Sequence, residues 1–384
     1  MILTVGAPAA GGACVARAED GRVVFVRHSL PGETVRVVVT SDGAKFLRAD
    51  AVEILSPSPD RVQAPCPYAR PGGCGGCDWQ HASASAQVEI KTALVEEQLR
   101  RVGRFTWDGA VEPVEPLFGW RTRVQWAVAP DGTPGLHKHR SSALEPVSDC
   151  LIAASTVALS QSWQGFATVE ELTAAGQTVL TAGGISTPAG VRVEVLGRFF
   201  EVAGGGFWQV HTEAPRVLGE AVLAGLAPQP GESVLDLYAG VGLFASLLGA
   251  EVGPTGSAMA FESSARAAAD AARNTADQPW VKVRTAAVTA TLVRRLRADL
   301  IVLDPPRAGA GLEVSAALAA LRPRALAYVS CDAASLARDL RVFLDSGWTV
   351  ASLRAFDLFP QTEHVELLAV LNPPAEPTSL AAPN

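Results

Sequence analysis

Several features are missing from this chain of 384 residues, and each absence restricts what the protein can be. There is no run of about 18 uncharged apolar residues, so we expect no membrane-spanning helix. The first six residues, Met1 to Gly6, contain no basic side chain of the kind that opens a secretory signal. Secretion is therefore not expected, and the cytoplasm is the default location.

Positive charge is also scarce, because 32 Lys and Arg residues face 39 Asp and Glu residues and leave a net charge of −7. This balance argues against a protein that coats nucleic acid with its whole surface, since Lys and Arg supply phosphate binding. It still allows an enzyme with one basic groove. Most of the basic residues are arginine, which suits bidentate phosphate contacts. A GC-rich genome explains the same bias and is the preferred explanation.

The composition that is present, 48% hydrophobic and 18% charged, is typical of a globular protein with two or three domains. Residues 1–57 contain short β-branched runs separated by Gly and Asp turns, which predict a small β-barrel of the oligonucleotide-binding type. Residues 58–205 begin with a cysteine-rich loop and a helix over 82–102. The rest of that region reads mostly as strands, with a possible helix over 161–180.

Residues 206–371 have a different pattern, in which predicted strands and helices alternate. This alternation predicts an α/β fold with a parallel, doubly wound sheet and ligands bound at the carboxyl ends of its strands. The last residues, 372–384, are rich in Pro and Ala and are predicted to be disordered. We find no internal repeat.

A glycine turn follows the first predicted strand of that sheet. Gly240 and Gly242 fit the pattern G-x-G-x-x-A, which allows close approach of a ligand, and Glu262 ends the next strand, where it can accept ribose hydroxyls. The pattern suits NAD as well as S-adenosylmethionine, and a ligand-free strand–turn–helix corner also remains open. Asp236 favours S-adenosylmethionine, because a carboxylate there attracts a methionyl ammonium and repels a pyrophosphate.

Three further strand ends carry reactive side chains. Asp304 opens the rigid corner Asp-Pro-Pro-Arg and can accept a hydrogen bond from the N–H of a planar base, with a turn-capping aspartate as the less favoured alternative. Cys331 is a candidate nucleophile, with an inert buried thiol as the alternative. Glu366 is a candidate base, with His364 on the same strand face, unless it is simply a solvated strand residue.

These segments resemble the RNA uracil-5-methyltransferase family in order and spacing. The matching signatures are Phe207-Trp208-Gln209-Val210, Asp236-Leu237-Tyr238-Ala239-Gly240-Val241-Gly242, Asp304-Pro305-Pro306-Arg307, Ser330-Cys331-Asp332 and Phe359-Pro360-Gln361-Thr362-Glu363-His364-Val365-Glu366. The N-terminal segment resembles the TRAM domain that many members carry. The chain departs from the family at Ala333, where Pro is frequent, and over 284–289, where an acidic residue often contacts adenine.

The resemblance implies three domains and a tail. They are a TRAM or OB-like β-barrel over 1–57, a central, mostly β domain with a cysteine cluster over 58–205, and a Rossmann-like S-adenosylmethionine-dependent methyltransferase domain over 206–371. The tail is 372–384. It also implies a cofactor site formed by Gln209, Asp236, Tyr238, Gly240, Gly242, Glu262 and Asp304.

The activity implied by the resemblance is formation of 5-methyluridine in ribosomal RNA or transfer RNA, with ribosomal RNA favoured. Uracil C5 is a poor nucleophile. Attack of the Cys331 thiolate on C6 would give an enolate whose C5 accepts the methyl group. Glu366 would then remove the C5 proton and elimination would release Cys331, while Asp304 holds the base. The target nucleotide must leave its stack, at a cost of a few kcal/mol.

Four cysteines predict a metal site. Cys66, Cys74 and Cys77 lie in one loop, and Cys150 is distant. In a reducing compartment such spacing indicates metal binding rather than disulfides. Four thiolates suit a [4Fe–4S] cluster or zinc. The set resembles the iron–sulfur site of a subset of the family, although the first gap is longer than usual. The cluster is preferred, and zinc is second.

A group of basic residues is a candidate RNA surface, with Trp120 and Trp126 as stacking platforms. An ordinary solvated hairpin is the equally weighted alternative. The basic residues are Arg121, Arg123, His137, Lys138, His139 and Arg140. Rival functions are an N-methyltransferase that uses the Asp304 corner without a thiol, a non-catalytic RNA-binding protein and, less favoured, a dehydrogenase.

Overall fold

A computed structural model describes residues 1–375, so most of the predicted disordered tail, residues 376–384, lies outside the described residues. The chain forms two compact units, each assembled from several segments. The first contains Met1–Glu97, Asp108–Val217 and Ala355–Glu366, and the second contains Gln98–Trp107, Leu218–Arg354 and the chain from Leu367 onward. The predicted boundaries of three consecutive domains stay a prediction.

The N-terminal part of the first unit is a six-stranded sheet, as the β-branched runs predict. Its strands are β1 (Ile2–Thr4), β2 (Pro8–Ala9), β3 (Ala13–Arg17), β4 (Val23–Arg27), β5 (Thr34–Asp42) and β6 (Phe46–Ser56), in the order β1-β5-β6-β4-β3-β2. The backbone N–H of Gly6 donates to Val15 O of β3, and the N–H of Val15 donates to Ala7 O, which brings the end of β1 to the other side of the sheet. The buried faces of these strands form one apolar core together with Trp79.

Helix α1 (Ala84–Gln98) follows the cysteine-rich loop and continues as a π-helical turn over Leu99–Gly103. The central strands are β7 (Val111–Pro113), β8 (Arg123–Val128), β9 (Pro134–His137), β10 (Leu144–Pro146), β11 (Thr168–Ala174), β12 (Gln177–Ala182), β13 (Ile185–Thr187), β14 (Gly190–Val195) and β15 (Arg198–Ala203), with a 3₁₀ turn at Val157–Ser160. Six of them form the antiparallel sheet β10-β9-β8-β11-β12-β13, and β14 and β15 form a hairpin.

The prediction of a helix over 161–180 is wrong, because β11 and most of β12 occupy that range. Strand β11 has a hydrogen-bonded neighbour on each side, β8 and β12. Glu171 lies buried in it and accepts hydrogen bonds from the Trp126 indole and the Ser155 hydroxyl. The two glutamates, Leu and Ala of this segment favour a helix locally, but pairing on both edges determines the outcome.

The second unit is the predicted α/β sheet. Its elements are α2 (Ala214–Leu226, which starts in the first unit), β16 (Ser233–Leu237), α3 (Leu243–Val252), β17 (Ser257–Glu262), α4 (Ala265–Asn274), β18 (Val281–Thr285), α5 (Ala290–Val293), β19 (Leu300–Leu303), α6 (Leu312–Leu321), β20 (Ala325–Ser330), α7 (Ala333–Asp345), β21 (Thr349–Asp357, which ends in the first unit) and β22 (Glu366–Asn372, whose first residue is in the first unit). Strands β18-β17-β16-β19-β20 are parallel.

Strand β22 departs from the all-parallel expectation, because it pairs antiparallel with β20. No helix lies between β21 and β22, so the chain can reverse there without a crossover. The residues of β19 and β20 are all buried, which matches their uninterrupted apolar sequences. Asn372, predicted to begin the tail, is instead the last residue of β22.

Candidate functional site

The glycine turn lies between β16 and α3, as predicted. Tyr238, Gly240 and Gly242 all have positive φ, at 64°, 54° and 87°. A Cβ on Gly242 would lie 3.1 Å from the Cβ of Ala271, so the close approach of α4 explains that glycine. A Cβ on Gly240 would meet no described atom within 4 Å, which leaves that side of the turn open to a ligand.

Asp236 is fully buried at the end of β16, four residues before Gly240. Its Oδ2 accepts a hydrogen bond from the backbone N–H of Ala245 in α3, at 2.8 Å, and so ties the helix to the strand. Its Oδ1 is buried and has no hydrogen-bond partner among the described residues. Burial, with Asp304 and Glu262 nearby, raises the pKa of this carboxyl to about 7.

Glu262 adopts the predicted position at the end of β17 and also supports the turn. Its Oε2 accepts from the N–H of Gly240 at 2.9 Å, and its Oε1 accepts from the N–H of Ser264 at 2.7 Å. Its Oε1 also accepts from the hydroxyl of Ser263 at 3.2 Å, so Oε2 is the oxygen that keeps a lone pair for a ribose hydroxyl. Tyr238 is half-buried, and burial together with Asp339 raises the pKa of its phenol to about 12.

The acidic corner begins directly after β19, where the backbone N–H of Asp304 donates to Leu237 O at 3.3 Å. Asp304 is therefore at the same end of the sheet as the glycine turn. The guanidinium of Arg307 lies 3.6 Å from the carboxylate of Asp332, which caps α7 by accepting from the N–H of Ser335. Cys331, half-buried, stands between the last residue of β20 and this cap.

Two predicted site residues lie in the first unit. Gln209 is half-buried, and its carbonyl accepts a hydrogen bond from the hydroxyl of Thr122 at 2.7 Å. Glu366 is 5% exposed and is the first residue of β22. The strand position of Glu366 agrees with the predicted strand over 365–371, whereas Gln209 lies in an irregular segment between β15 and α2. No sequence signal indicates the buried ion pair between Lys91 and Asp357, 2.6 Å apart, whose partners are 266 residues apart.

The four predicted metal ligands, Cys66, Cys74, Cys77 and Cys150, line one cavity of about 270 Å³. Burial raises the pKa of the Cys74 thiol to about 11 and raises those of Cys77 and Cys150 as well. Between residues 1 and 375, no group of three or more His, Cys, Asp or Glu side chains is arranged to hold a single metal ion.

The predicted stacking platforms are wrong, because Trp120 and Trp126 are 1% and 0% exposed and belong to the interior. Trp120 stacks on His211, and the indole N–H of Trp126 donates to Glu171. Five of the six predicted basic residues do line the cysteine cavity. They are Arg121, His137, Lys138, His139 and Arg140. Burial and nearby Arg27 lower the pKa of His139 to about 4, so its ring is neutral near pH 7.

Comparison with known proteins agrees with this architecture. The TRAM domain model matches residues 3–52, and the tRNA (uracil-5-)-methyltransferase model matches residues 282–372. An uncharacterized RNA methyltransferase of Streptomyces coelicolor is 46% identical over 97% of this chain and 92% of its own length. One of Streptomyces avermitilis is 45% identical over 97% of this chain and 98% of its own.

Among solved structures, the Pyrococcus abyssi tRNA (uracil-54, C5)-methyltransferase in complex with S-adenosyl-L-homocysteine has the same fold. Its TM-score is 0.73 at 20% identity, over 96% of this chain and 99% of that one. In the part of the chain that the structure describes, no helix is both long and apolar enough to cross a membrane. By these domain matches and its full-length relatives, the chain belongs to the S-adenosylmethionine-dependent RNA uracil-5-methyltransferase family, and it carries a TRAM domain.

Proposed function

We propose that this enzyme makes 5-methyluridine in RNA through a covalent bond between the Cys331 sulfur and C6 of the target uracil. The observation that carries the proposal is the register of two strands. Ser330 of β20 pairs with Leu367 of β22. Cys331 is the residue after Ser330 in the chain, and Glu366 is the residue before Leu367. The nucleophile and the base of the reaction thus adjoin the same pair of sheet residues.

The proposed reaction consists of three balanced steps. The thiolate of Cys331 adds to C6 and leaves an enolate. C5 then takes the methyl group from the sulfonium, which departs as a neutral thioether. Glu366 removes the C5 proton, and the electron pair of that C–H bond forms the C5–C6 double bond as the sulfur–C6 bond breaks. Asp304 accepts a hydrogen bond from the base and holds its plane during this sequence.

Asp236 and Glu262 are the residues proposed to hold S-adenosylmethionine. The unpartnered Oδ1 of Asp236 is a buried acceptor that suits the methionyl ammonium. Glu262 has acceptor capacity for the ribose, and the open side of Gly240 allows backbone approach. Gln209 and Tyr238 complete the proposed set. The cofactor supplies a methyl group bonded to a positively charged sulfur, and these residues of the chain hold the cofactor in place.

A pH dependence of cofactor binding follows from Asp236. Its pKa of about 7 means that the carboxyl is half protonated at neutral pH in the free enzyme. The ammonium of the ligand favours the carboxylate, so binding lowers this pKa and releases a proton. Affinity should therefore rise as the pH increases from 6 to 8, by at most about tenfold, because the carboxylate fraction of the free enzyme rises by about that factor over this range.

Calorimetry in buffers of different ionisation enthalpy measures both the affinity and the proton release. Asp236→Asn should bind more weakly at pH 8, with an affinity that is flat across this range. Equal pH dependence in the wild type and Asp236→Asn would contradict the assignment of the ammonium to this carboxylate.

We also propose that Cys66, Cys74, Cys77 and Cys150 hold a [4Fe–4S] cluster. Tetrahedral zinc would need sulfurs about 3.8 Å apart, given Zn–S bonds of about 2.3 Å. A cubane binds each thiolate to a different iron and needs a wider spacing. What supports the proposal is that all four cysteines line one cavity. The methyl transfer requires no redox step, so the proposed role of the cluster is structural. It would hold in place the basic residues that line the cysteine cavity, which are proposed to contact RNA.

Iron and sulfide analysis of anaerobically purified protein tests the cluster. The wild type should contain about four irons per chain, and Cys74→Ser should lose them. Cys14→Ser is the matched control, because Cys14 is buried in the barrel core away from this cavity. Stoichiometric zinc with no iron, or neither metal, would contradict the cluster.

The substrate is proposed to be ribosomal RNA first and transfer RNA second. Mass spectrometry of nucleosides and of mapped RNA fragments from a deletion strain identifies the site. We expect one 5-methyluridine to disappear from one of these two RNAs and to return when the wild-type gene is restored. Unchanged 5-methyluridine at every position would contradict the proposed function.

A further inference from the structure

The segment just before Glu366, Phe359–His364, is held by polar contacts within the first unit rather than by regular secondary structure. Gln361 sits at its centre, is 4% exposed and has a φ of 71°, in the left-handed region that a non-glycine residue rarely adopts. Such a conformation persists only where the surroundings determine it. The contacts that do so come from two distant parts of the sequence.

The first set of contacts comes from residues that follow the cysteine loop. The backbone N–H groups of Asp78 and Trp79 both donate to Gln361 O, at 2.8 and 3.0 Å. The side chain of Gln87 in α1 exchanges two hydrogen bonds with Gln361. Its Oε1 accepts from the Gln361 backbone N–H at 2.9 Å, and its Nε2 donates to the Gln361 Oε1 at 3.1 Å. Backbone and side chain of Gln361 are thus both fixed.

The second set comes from the N-terminal sheet and acts on Glu363. The backbone N–H groups of Gly11 and Gly12 both donate to its Oε2, the latter at 3.2 Å. The two glycines have φ of 91° and 66°, and their successive amides point at one oxygen, as in an anion-binding turn. A Cβ on Gly12 would lie 2.5 Å from the Cβ of Asp78, so only glycine fits there.

Asp78 joins the two sets. Its Oδ2 accepts from the backbone N–H of Glu363 at 3.1 Å, and its Oδ1 accepts from the guanidinium of Arg27, which is 8% exposed, at 3.2 Å. The start of the segment is fixed as well, because the ammonium of buried Lys91 donates to the carbonyl of Phe359 at 3.0 Å. Each anchor lies more than 250 residues from the segment that it holds.

From these contacts we infer that Glu363 and Asp78 are positioning residues for the base Glu366. Glu363 and Asp78 fix the backbone three residues before Glu366, and so hold the Glu366 carboxylate in the position from which it removes the C5 proton. The N-terminal sheet then contributes to catalysis through Gly11 and Gly12, beyond any contact that it makes with RNA. The inference rests on the proposed function, because it assumes that Glu366 removes this proton.

The test separates the base-dependent step from the steps before it. With 5-fluorouridine RNA, Cys331 adds to C6 and C5 is methylated, but fluorine replaces the proton and elimination stops. Formation of this adduct needs no base. Glu363→Ala should therefore form the fluorinated adduct at the wild-type rate, while kcat on ordinary RNA falls by about 10–100-fold with KM unchanged.

Two further variants and a control complete the experiment. Glu363→Gln keeps an acceptor oxygen for Gly11 and Gly12, so its kcat should lie between those of Glu363→Ala and the wild type. Asp78→Asn should show a similar intermediate kcat. Glu19→Ala removes an exposed carboxylate from the same sheet region and should match the wild type.

Three outcomes would count against the proposals, and they can be told apart. A wild-type kcat in Glu363→Ala and Asp78→Asn overturns the inference. So does a parallel loss of fluorinated adduct and turnover, because that indicates general damage rather than a misplaced base. Failure of the wild type to form any adduct overturns the proposed function itself.

Discussion

Cys331→Ala should abolish methylation of RNA, with a loss of turnover on the order of 10⁴-fold or more, as expected when a covalent nucleophile is removed. Without the thiolate, C5 of uracil never becomes electron-rich enough to attack the sulfonium. The variant should also form no denaturant-stable complex with 5-fluorouridine RNA. Gel electrophoresis under denaturing conditions and intact-mass measurement detect that complex in the wild type.

The structure provides a control for this variant. Cys331 follows β20, whereas Asp236 lies in β16 and the glycine turn follows β16, so Cys331→Ala should bind S-adenosylmethionine as the wild type does. Calorimetry checks that affinity. Undiminished methylation by Cys331→Ala would instead favour an N-methyltransferase that uses Asp304 and needs no thiol.

Glu366→Gln should stop the reaction one step later. The thiolate can still add and the methyl group can still transfer, but the C5 proton has no acceptor. We expect turnover to fall by about 10²–10⁴-fold, the usual contribution of a general base. A methylated covalent adduct should accumulate with ordinary uridine RNA, which the wild type releases.

Intact-mass analysis distinguishes this adduct by the mass of RNA plus one methyl group. Glu19→Gln, a substitution of the same chemistry at an exposed site, should leave turnover unchanged. Slow turnover in Glu366→Gln with no accumulated adduct would show that this glutamate acts before methyl transfer and would contradict its assignment as the base.

Much of the second unit could be predicted because its signals are local. The apolar runs before Asp236, Asp304 and Cys331 form buried strands, and each run ends at a chemically distinctive residue. Gly240 and Gly242 mark the turn, because the positive φ at these two positions is one that most other residue types rarely adopt. The carboxyl ends of parallel strands share one edge, so the order of these motifs indicated which residues would assemble there.

Other features could not be foreseen, because they depend on contacts between distant residues. The indole rings of Trp120 and Trp126 read as candidate platforms, but their burial depends on strands and side chains far along the chain. Strand β11 has good helix formers and is a strand because it has two partners. The bond between Glu363 and Gly12 spans 351 residues and leaves no local pattern.

The four cysteines could be predicted only in part from the sequence. Three of them are close together in one loop, whereas Cys150 is distant in the sequence and is grouped with them by cysteine usage and by resemblance. The structure places all four around one cavity. That they hold a metal stays a proposal.

The central claim is that C5 of a uracil is the atom that receives the methyl group. Methylation of RNA that contains uridine deuterated at C5 tests it most directly, followed by mass spectrometry of the digested nucleosides. We predict a product that co-elutes with 5-methyluridine and has lost one deuterium for each methyl group gained. A methylated nucleoside that keeps the deuterium would contradict the account.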